Sequence, residues 1–178
     1  METADQLYAD LIGPVEGRMK SVVAGIVSDP DDAADAFQNA LIYIWKHLRR
    51  IHRHPNPHGY IIRVCISSAY DVLRKGARRR EREVIVPEVT EVADDAIVTE
   101  EGYPVPDREV LPLIRGGIAT LPGKQAQAVL LRLLEDQQFD VIGRVLGCSE
   151  VTARSHVSKG LAKLREHLAG LGLNPAEG

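Results

Sequence analysis

The chain has 178 residues, of which 44% are hydrophobic and 26% charged, with a net charge of −3. That length suits one ordinary domain or two small ones, and no apolar run nears the roughly 20 residues that span a bilayer. The first residues, Met1 to Asp5, lack the basic start and apolar stretch of a signal peptide, which points to the cytoplasm and away from a membrane.

The net charge hides a segregation. Residues 1–86 hold 13 Lys/Arg against 11 Asp/Glu, residues 87–110 hold one Arg against 8 acids, and residues 111–178 hold 8 against 6. Residues 46–83 alone carry 11 Lys/Arg and 3 acids. Two mildly basic blocks therefore flank an acidic strip, and local basic charge of this kind suits phosphates whatever the mean charge.

In chain order, apolar residues recur at helical spacing from Leu7 to Val27, through Leu11, Val15, Met19, Val22, Val23 and Ile26. Pro14 must kink or split that stretch. The next helix opens with Asp29 as N-cap, Pro30 at its first position and Asp31 and Asp32 complementing the dipole. Its inward stripe is Ala33, Phe37, Ala40, Leu41, Ile44 and Leu48; Asp35, Gln38, Asn39, Ile42 and Lys46 face away. A polar face with one exposed Ile suits a protein contact.

A loop from His52 to Gly59 ends that helix. Three histidines in seven residues (His52, His54, His58) could bind a metal. The prolines, the neighbouring Arg53 and the lack of a carboxylate or thiolate argue against a closed site, so no metal and no cofactor are expected. Cys65 and Cys148 have no ligand neighbours at usable spacing and read as reduced and structural.

A third helix is predicted from about Tyr60 to Arg80, with Ile61, Val64, Cys65, Ser68 and Val72 inward. Arg63, Ser67, Tyr70, Arg74 and Arg78 share one of its faces, and Lys75, Arg79 and Arg80 add charge nearby. A basic face with an aromatic on it can track a backbone and stack a base. Residues 87–108 contain Pro87, Pro104, Pro106 and the acidic run without amphipathic period, as in a flexible linker. Helices resume with Leu111, Ile114, Ile118 and Leu121, then Val129, Leu130, Leu133 and Leu134.

Residues 138–168 carry the most specific pattern. A short helix from Phe139 to Leu146 meets the turn Gly147-Cys148-Ser149. Gly147 suits the left-handed position that ends a helix, and Ser149 suits the next N-cap. The following helix buries Ala153, Val157, Leu161, Leu164 and Leu168 and turns Arg154, Ser155, His156, Ser158 and Lys159 outward. Long cations mixed with short hydrogen-bonding side chains are what a base-reading helix needs. The fold class is therefore all-α: two small helical domains, 1–86 and 109–178, joined by an acidic flexible linker at 87–108, the second a helix-turn-helix.

On residues alone, a stand-alone regulator with an N-terminal dimerisation block competes, although such a block does not need the basic face at 63–80. An enzyme such as a nuclease would need clustered carboxylates or a metal set. The acids lie instead on a helix start and in the linker, so no catalytic residue is expected.

The order of these segments resembles bacterial RNA polymerase sigma factors of the extracytoplasmic-function group. The resemblance rests on Asp32-Ala33-Ala34-Asp35-Ala36-Phe37-Gln38-Asn39-Ala40-Leu41 with Trp45, on Tyr60-Ile61-Ile62-Arg63-Val64 with Asp71-Val72-Leu73-Arg74-Lys75, and on Leu121-Pro122, Leu146-Gly147-Cys148-Ser149, Thr152, Arg154-Ser155 and Leu164-Arg165. It implies a promoter-specificity subunit that binds core RNA polymerase, directs initiation at −10 and −35 elements and stabilises melted DNA, with the catalysis left to core. By the same resemblance, Asp35, Gln38, Asn39 and Ile42 would contact core polymerase. Arg53, His54, Asn56 and His58 would hold a flipped base, and Arg63, Ser67, Arg74 and Lys75 would guide the melted strand. Arg154, Ser155, His156, Ser158 and Lys159 would bind the −35 duplex, and an anti-sigma factor is a usual further partner in the group. The chain departs from the family's frequent choices at Tyr60 (Trp), Ser67 (Asn), Gly143 (Ala) and His156 (Arg).

Overall fold

A computed structural model of the chain describes residues 3–82 and 110–173. The acidic linker at 87–108 lies outside the described residues. Among those described, all regular structure is helical.

The first block comprises α1 (Ala4–Ile12), α2 (Glu16–Ile26), α3 (Pro30–Lys46), α4 (Leu48–His52) and α5 (Pro57–Arg82). Thr3 caps α1 in a reciprocal capping box with Gln6. Pro14 splits the first predicted stretch: Gly13–Val15 forms a single 3-10 turn between α1 and α2. At α3 the Asp29 carboxylate accepts from the Asp31 and Asp32 amides at 3.0 and 2.9 Å, with Pro30 at the first position. The predicted α3 ends earlier than its apolar stripe. His47 leaves helical geometry, and Leu48 and Ile51 enter the core from the separate short α4. α5 starts three residues before the predicted Tyr60 and packs on α2 and α3. Its Ile61, Ile62, Val64, Cys65, Ile66 and Ala69 are core residues, each at most 3% exposed.

The second block comprises α6 (Val110–Thr120), α7 (Gly123–Leu133), α8 (Phe139–Leu146) and α9 (Glu150–Gly170). α9 crosses α6, α7 and α8. Leu133 and Leu134, expected to continue the buried stripe with Val129 and Leu130, are instead exposed (56% and 45%). α7 stops at Leu133, and the chain reverses through Asp136 in left-handed conformation (φ 44°). Ala126, Ala128 and Leu131 fill the stripe in their place.

The two blocks are packed together. One hydrophobic cluster runs through both, and α5 contacts α6, α7 and α8. α5 is thus the central helix of the molecule, with its first-block neighbours on one side and the second block on the other.

Candidate nucleic-acid interface

The turn between α8 and α9 has the geometry its residues dictate. Gly147 ends α8 at φ 69°, ψ 39°, where a β carbon would be strained. The Cys148 amide donates back to the Gly143 carbonyl at 2.9 Å. Ser149 caps α9, its hydroxyl accepting from the Thr152 amide at 3.1 Å. Gly143 lies directly under this turn: a β carbon on it would sit 2.8 Å from the Cys148 carbonyl oxygen and 3.1 Å from the Ser149 carbonyl carbon.

α9 presents Arg154, Ser158 and Lys159 to solvent, while Ser155 and His156 are half-buried. Arg154 is held in place: it pairs with Glu150 at 3.1 Å and lies 4.5 Å over the Phe139 ring. Arg132 approaches the same ring at 5.4 Å. Val151, in the first turn of α9, is 77% exposed. Reading the polar face alone misses it, because an apolar residue next to a buried stripe is normally assigned to the core.

On α3, Asp35, Gln38 and Asn39 are exposed and Ile42 is 46% exposed, as the spacing predicts. Trp45 joins this face, 48% exposed, with its ring edge-on to Tyr8 at 5.3 Å. An exposed Ile–Trp pair beside a polar row is the kind of apolar anchor that protein interfaces use.

The segment between α4 and α5 is shorter than expected. His58 falls in the first turn of α5, exposed, and Arg53 is exposed at the end of α4. His54 and Asn56 are half-buried and committed to the loop itself. The His54 Nδ1 accepts from the Asn56 amide at 3.0 Å, and the Asn56 side-chain oxygen accepts from the Gly59 amide at 2.9 Å. An aromatic cluster lines this corner. His47 stacks on Tyr43 at 4.1 Å, the Tyr43 and Tyr60 hydroxyls are 3.4 Å apart, His54 tilts against Tyr60 at 5.0 Å, and the Arg63 guanidinium covers Tyr60 at 4.7 Å. The hydrogen bond to Tyr60, then burial, raises the Tyr43 hydroxyl above its ordinary pKa. Tyr43 and His47 were not singled out by sequence, where they read as ordinary helix residues. Among the described residues no three His, Cys, Asp or Glu are placed to hold a metal ion.

Along α5, Arg74 and Lys75 are exposed and Arg63 is half-buried, its Nε enclosed without a partner. Tyr70, placed by its spacing on the same outward face, is not outward: it is 2% exposed and its hydroxyl donates to the Leu121 carbonyl at 2.5 Å. Ser67, half-buried, accepts from the Gln127 amide group at 3.4 Å. The reason is tertiary. A helix face that is polar by periodicity is covered by a second block that no local pattern announces.

Two family descriptions match this architecture: sigma-70 region 2 over residues 11–79 and sigma-70 region 4 over residues 113–164. The chain is 33% identical over 144 residues to an RNA polymerase sigma-E factor of Streptomyces antibioticus, covering 81% of this chain and 74% of that protein. A sigma-E factor of Streptomyces avermitilis is likewise 33% identical over 143 residues, covering 80% and 74%.

The chain belongs to the sigma-70 family of RNA polymerase sigma factors.

It is of the extracytoplasmic-function type, with regions 2 and 4 in the order the resemblance implies. As a sigma factor it binds core RNA polymerase and directs promoter-specific initiation; sigma factors are non-enzymatic initiation factors. A solved structure shares its fold: the sigma factor RpoE of Bartonella quintana, co-crystallised with the anti-sigma factor NepR, has a TM-score of 0.54 at 18% identity, covering 89% of this chain and 94% of that one. Among the described residues no helix is long and apolar enough to cross a membrane.

Proposed function

We propose that the two blocks divide promoter recognition between them, residues 1–86 handling core polymerase and the melted −10 strand, and residues 109–178 the −35 duplex. The observation that carries this reading is a capped helix-turn-helix with an ordered arginine, Arg154, in the same chain as a long helix, α5, with exposed Arg74, Lys75, Arg78, Arg79 and Arg80.

In the second block, the N-terminal half of α9 enters the major groove. Arg154, pre-oriented over Phe139, reads a guanine edge, and Val151 beside it offers an apolar contact to a thymine methyl. Ser158 and Lys159 hold phosphates, and Ser155 and His156 support the same surface. In the first block, Asp35, Gln38, Asn39 and Ile42 contact core polymerase, with Trp45 added to that surface.

The corner of Tyr43, His47, Tyr60 and Arg63 offers π-faces to an unstacked base, with Arg53 and His58 at its edge. His54 and Asn56 shape that loop rather than reaching out of it. Taking a base out of the stack costs a few kcal/mol. Stacking worth about 1–3 kcal/mol per base, with phosphate contacts along α5, offsets it. We extend to this chain an anti-sigma partner of the kind bound to the Bartonella protein, and a cytoplasmic location beside the polymerase; the chain brings no chemistry, cofactor or metal of its own.

Footprinting of the complex with core polymerase on a cognate promoter tests the division. Arg154→Ala should weaken duplex protection by about 1–3 kcal/mol while leaving permanganate-reactive thymines in any complex that forms. Arg63→Ala with Arg74→Ala should leave upstream protection and abolish the thymine reactivity. Equal loss of both signals from either variant would overturn the division.

A further inference from the structure

Two guanidinium groups, one from α7 and one from α9, lie over the half-buried ring of Phe139 at the start of α8. Arg154 stands 4.5 Å from its centroid and Arg132 5.4 Å. Each cation has its own carboxylate, Glu150 for Arg154 and Asp136 for Arg132, both at 3.1 Å. The two like charges therefore share one ring without an uncompensated repulsion.

The ring is placed by the chain that precedes it. α8 begins without a side-chain cap, since Gln138 makes no such bond. The approach to Phe139 runs through a reversal in which Asp136 takes φ 44°, a left-handed conformation that is costly for a residue with a β carbon. Arg132 spans that reversal. Its guanidinium donates to the Gln137 carbonyl at 3.0 Å and pairs with Asp136. It thus fixes the backbone before Phe139 and also lies over the ring that follows.

We propose that Arg132 and Phe139 are positioning residues for Arg154, so that the preference for guanine at one −35 base pair is governed from α7 through the ring. This rests on the reading above that Arg154 takes a guanine edge. A bidentate contact needs one guanidinium orientation out of the many that a flexible arginine samples. Glu150 supplies only the restraint of an exposed pair one turn away, which is weak. The ring adds the second restraint, and ordering achieved in the free chain is not charged to binding. Order also sharpens discrimination. Adenine presents a donor at N6 beside its N7 acceptor, and a fixed fork cannot swing away from that donor.

The test uses the full chain in holoenzyme with core polymerase. The probe is a pool of random-sequence duplexes long enough to hold both promoter elements, and sequencing of the bound fraction gives the base preference at each position. Arg154→Ala should erase a guanine preference at one upstream position. Phe139→Leu keeps the apolar bulk and loses the π-face. It should lower the guanine-over-adenine ratio at that same position about threefold or more and leave other positions unchanged. Arg132→Gln, which can still donate to Gln137 without the charge, should act in the same direction, and Phe139→Tyr should restore the wild-type ratio. At that position Phe139→Leu with Arg154→Ala should be no worse than Arg154→Ala alone. In the free chain, 15N relaxation of the Arg154 Nε–H should report an ordered guanidinium that becomes mobile in Phe139→Leu and Arg132→Gln.

An unchanged guanine ratio in both variants would overturn the proposal. So would a loss spread evenly over all positions in step with a lower Tm, or full additivity in the double variant. Should Phe139→Leu fail to fold, Arg132→Gln carries the same comparison. If Arg154→Ala flattens no position, the guanine reading fails, whereas the relaxation data still report whether the ring and Arg132 order Arg154.

Discussion

At the scale of single residues, Gly143 is held to glycine by neighbouring backbone rather than by side chains. The helix-turn-helix turn passes so close that any β carbon would press on backbone, 2.8 Å from the Cys148 oxygen, rather than on a side chain that could swing away. Gly143→Ala, although it would raise helix propensity, should therefore destabilise the protein by about 1–3 kcal/mol. Thermal unfolding checks this, and an unchanged or raised Tm would show that the turn relaxes freely. Burial pushes the Cys65 thiol up to about 12, so the folded state holds the proton that an unfolded chain releases near pH 9. Its contribution is fully present below pH 9 and is lost as pH rises toward about 12, a change of a few kcal/mol. Tyr8 and Tyr43, both raised, act in the same direction. Cys65→Ala should flatten the fall in Tm between pH 9 and 11; an equally steep fall would place the alkaline sensitivity in the tyrosines alone. Arg154, Gln38 and Asp35 were legible as exposed because periodicity alone assigns a face. Tyr70 was misplaced by the same rule, which counts turns of one helix and is blind to what lies across from it.

At the scale of elements, capping chemistry was the most legible feature. Asp29-Pro30 and Gly147-Cys148-Ser149 specify their helix ends through backbone groups that must be satisfied locally, and both ends form as read. The interiors were less so. α3 gives way at His47 to the separate α4, and α7 stops at Leu133, because tertiary contacts decide where an apolar stripe ceases to face a core. The corner between α3 and α5 was legible only in part. Tyr43 and His47 stack on each other one turn apart, and what makes the pair part of a corner is the Tyr43 hydroxyl meeting Tyr60 of α5, which no spacing within α3 reports. The outward face of α3 belongs to this scale functionally. Asp35→Ala or Gln38→Ala should weaken capture by immobilised core polymerase, while binding to an isolated promoter fragment stays as in wild type. A loss of DNA binding in parallel would mean that α3 supports the fold of the block and does not form a separate surface.

At the scale of the whole molecule, two modest modules on one chain explain promoter specificity better than either alone. Linking makes the second contact intramolecular, so the pair binds far more tightly than each part. The same linkage lets the modules bind each other, and in the structure they do so through α5. The all-α class and the two blocks were legible from helical periodicity and from the charge division. The seam was not, since a buried Tyr70–Leu121 contact spans 51 positions and leaves no local trace. The central claim is that this chain confers promoter choice on a polymerase that lacks it. In vitro transcription measures that claim most directly, with core enzyme from the source organism, genomic fragments as template and the chain added or omitted. Discrete start sites that appear only with the chain, and that vanish when an upstream duplex element or the melted region is altered, are the predicted result. Transcripts identical with and without it would contradict the account.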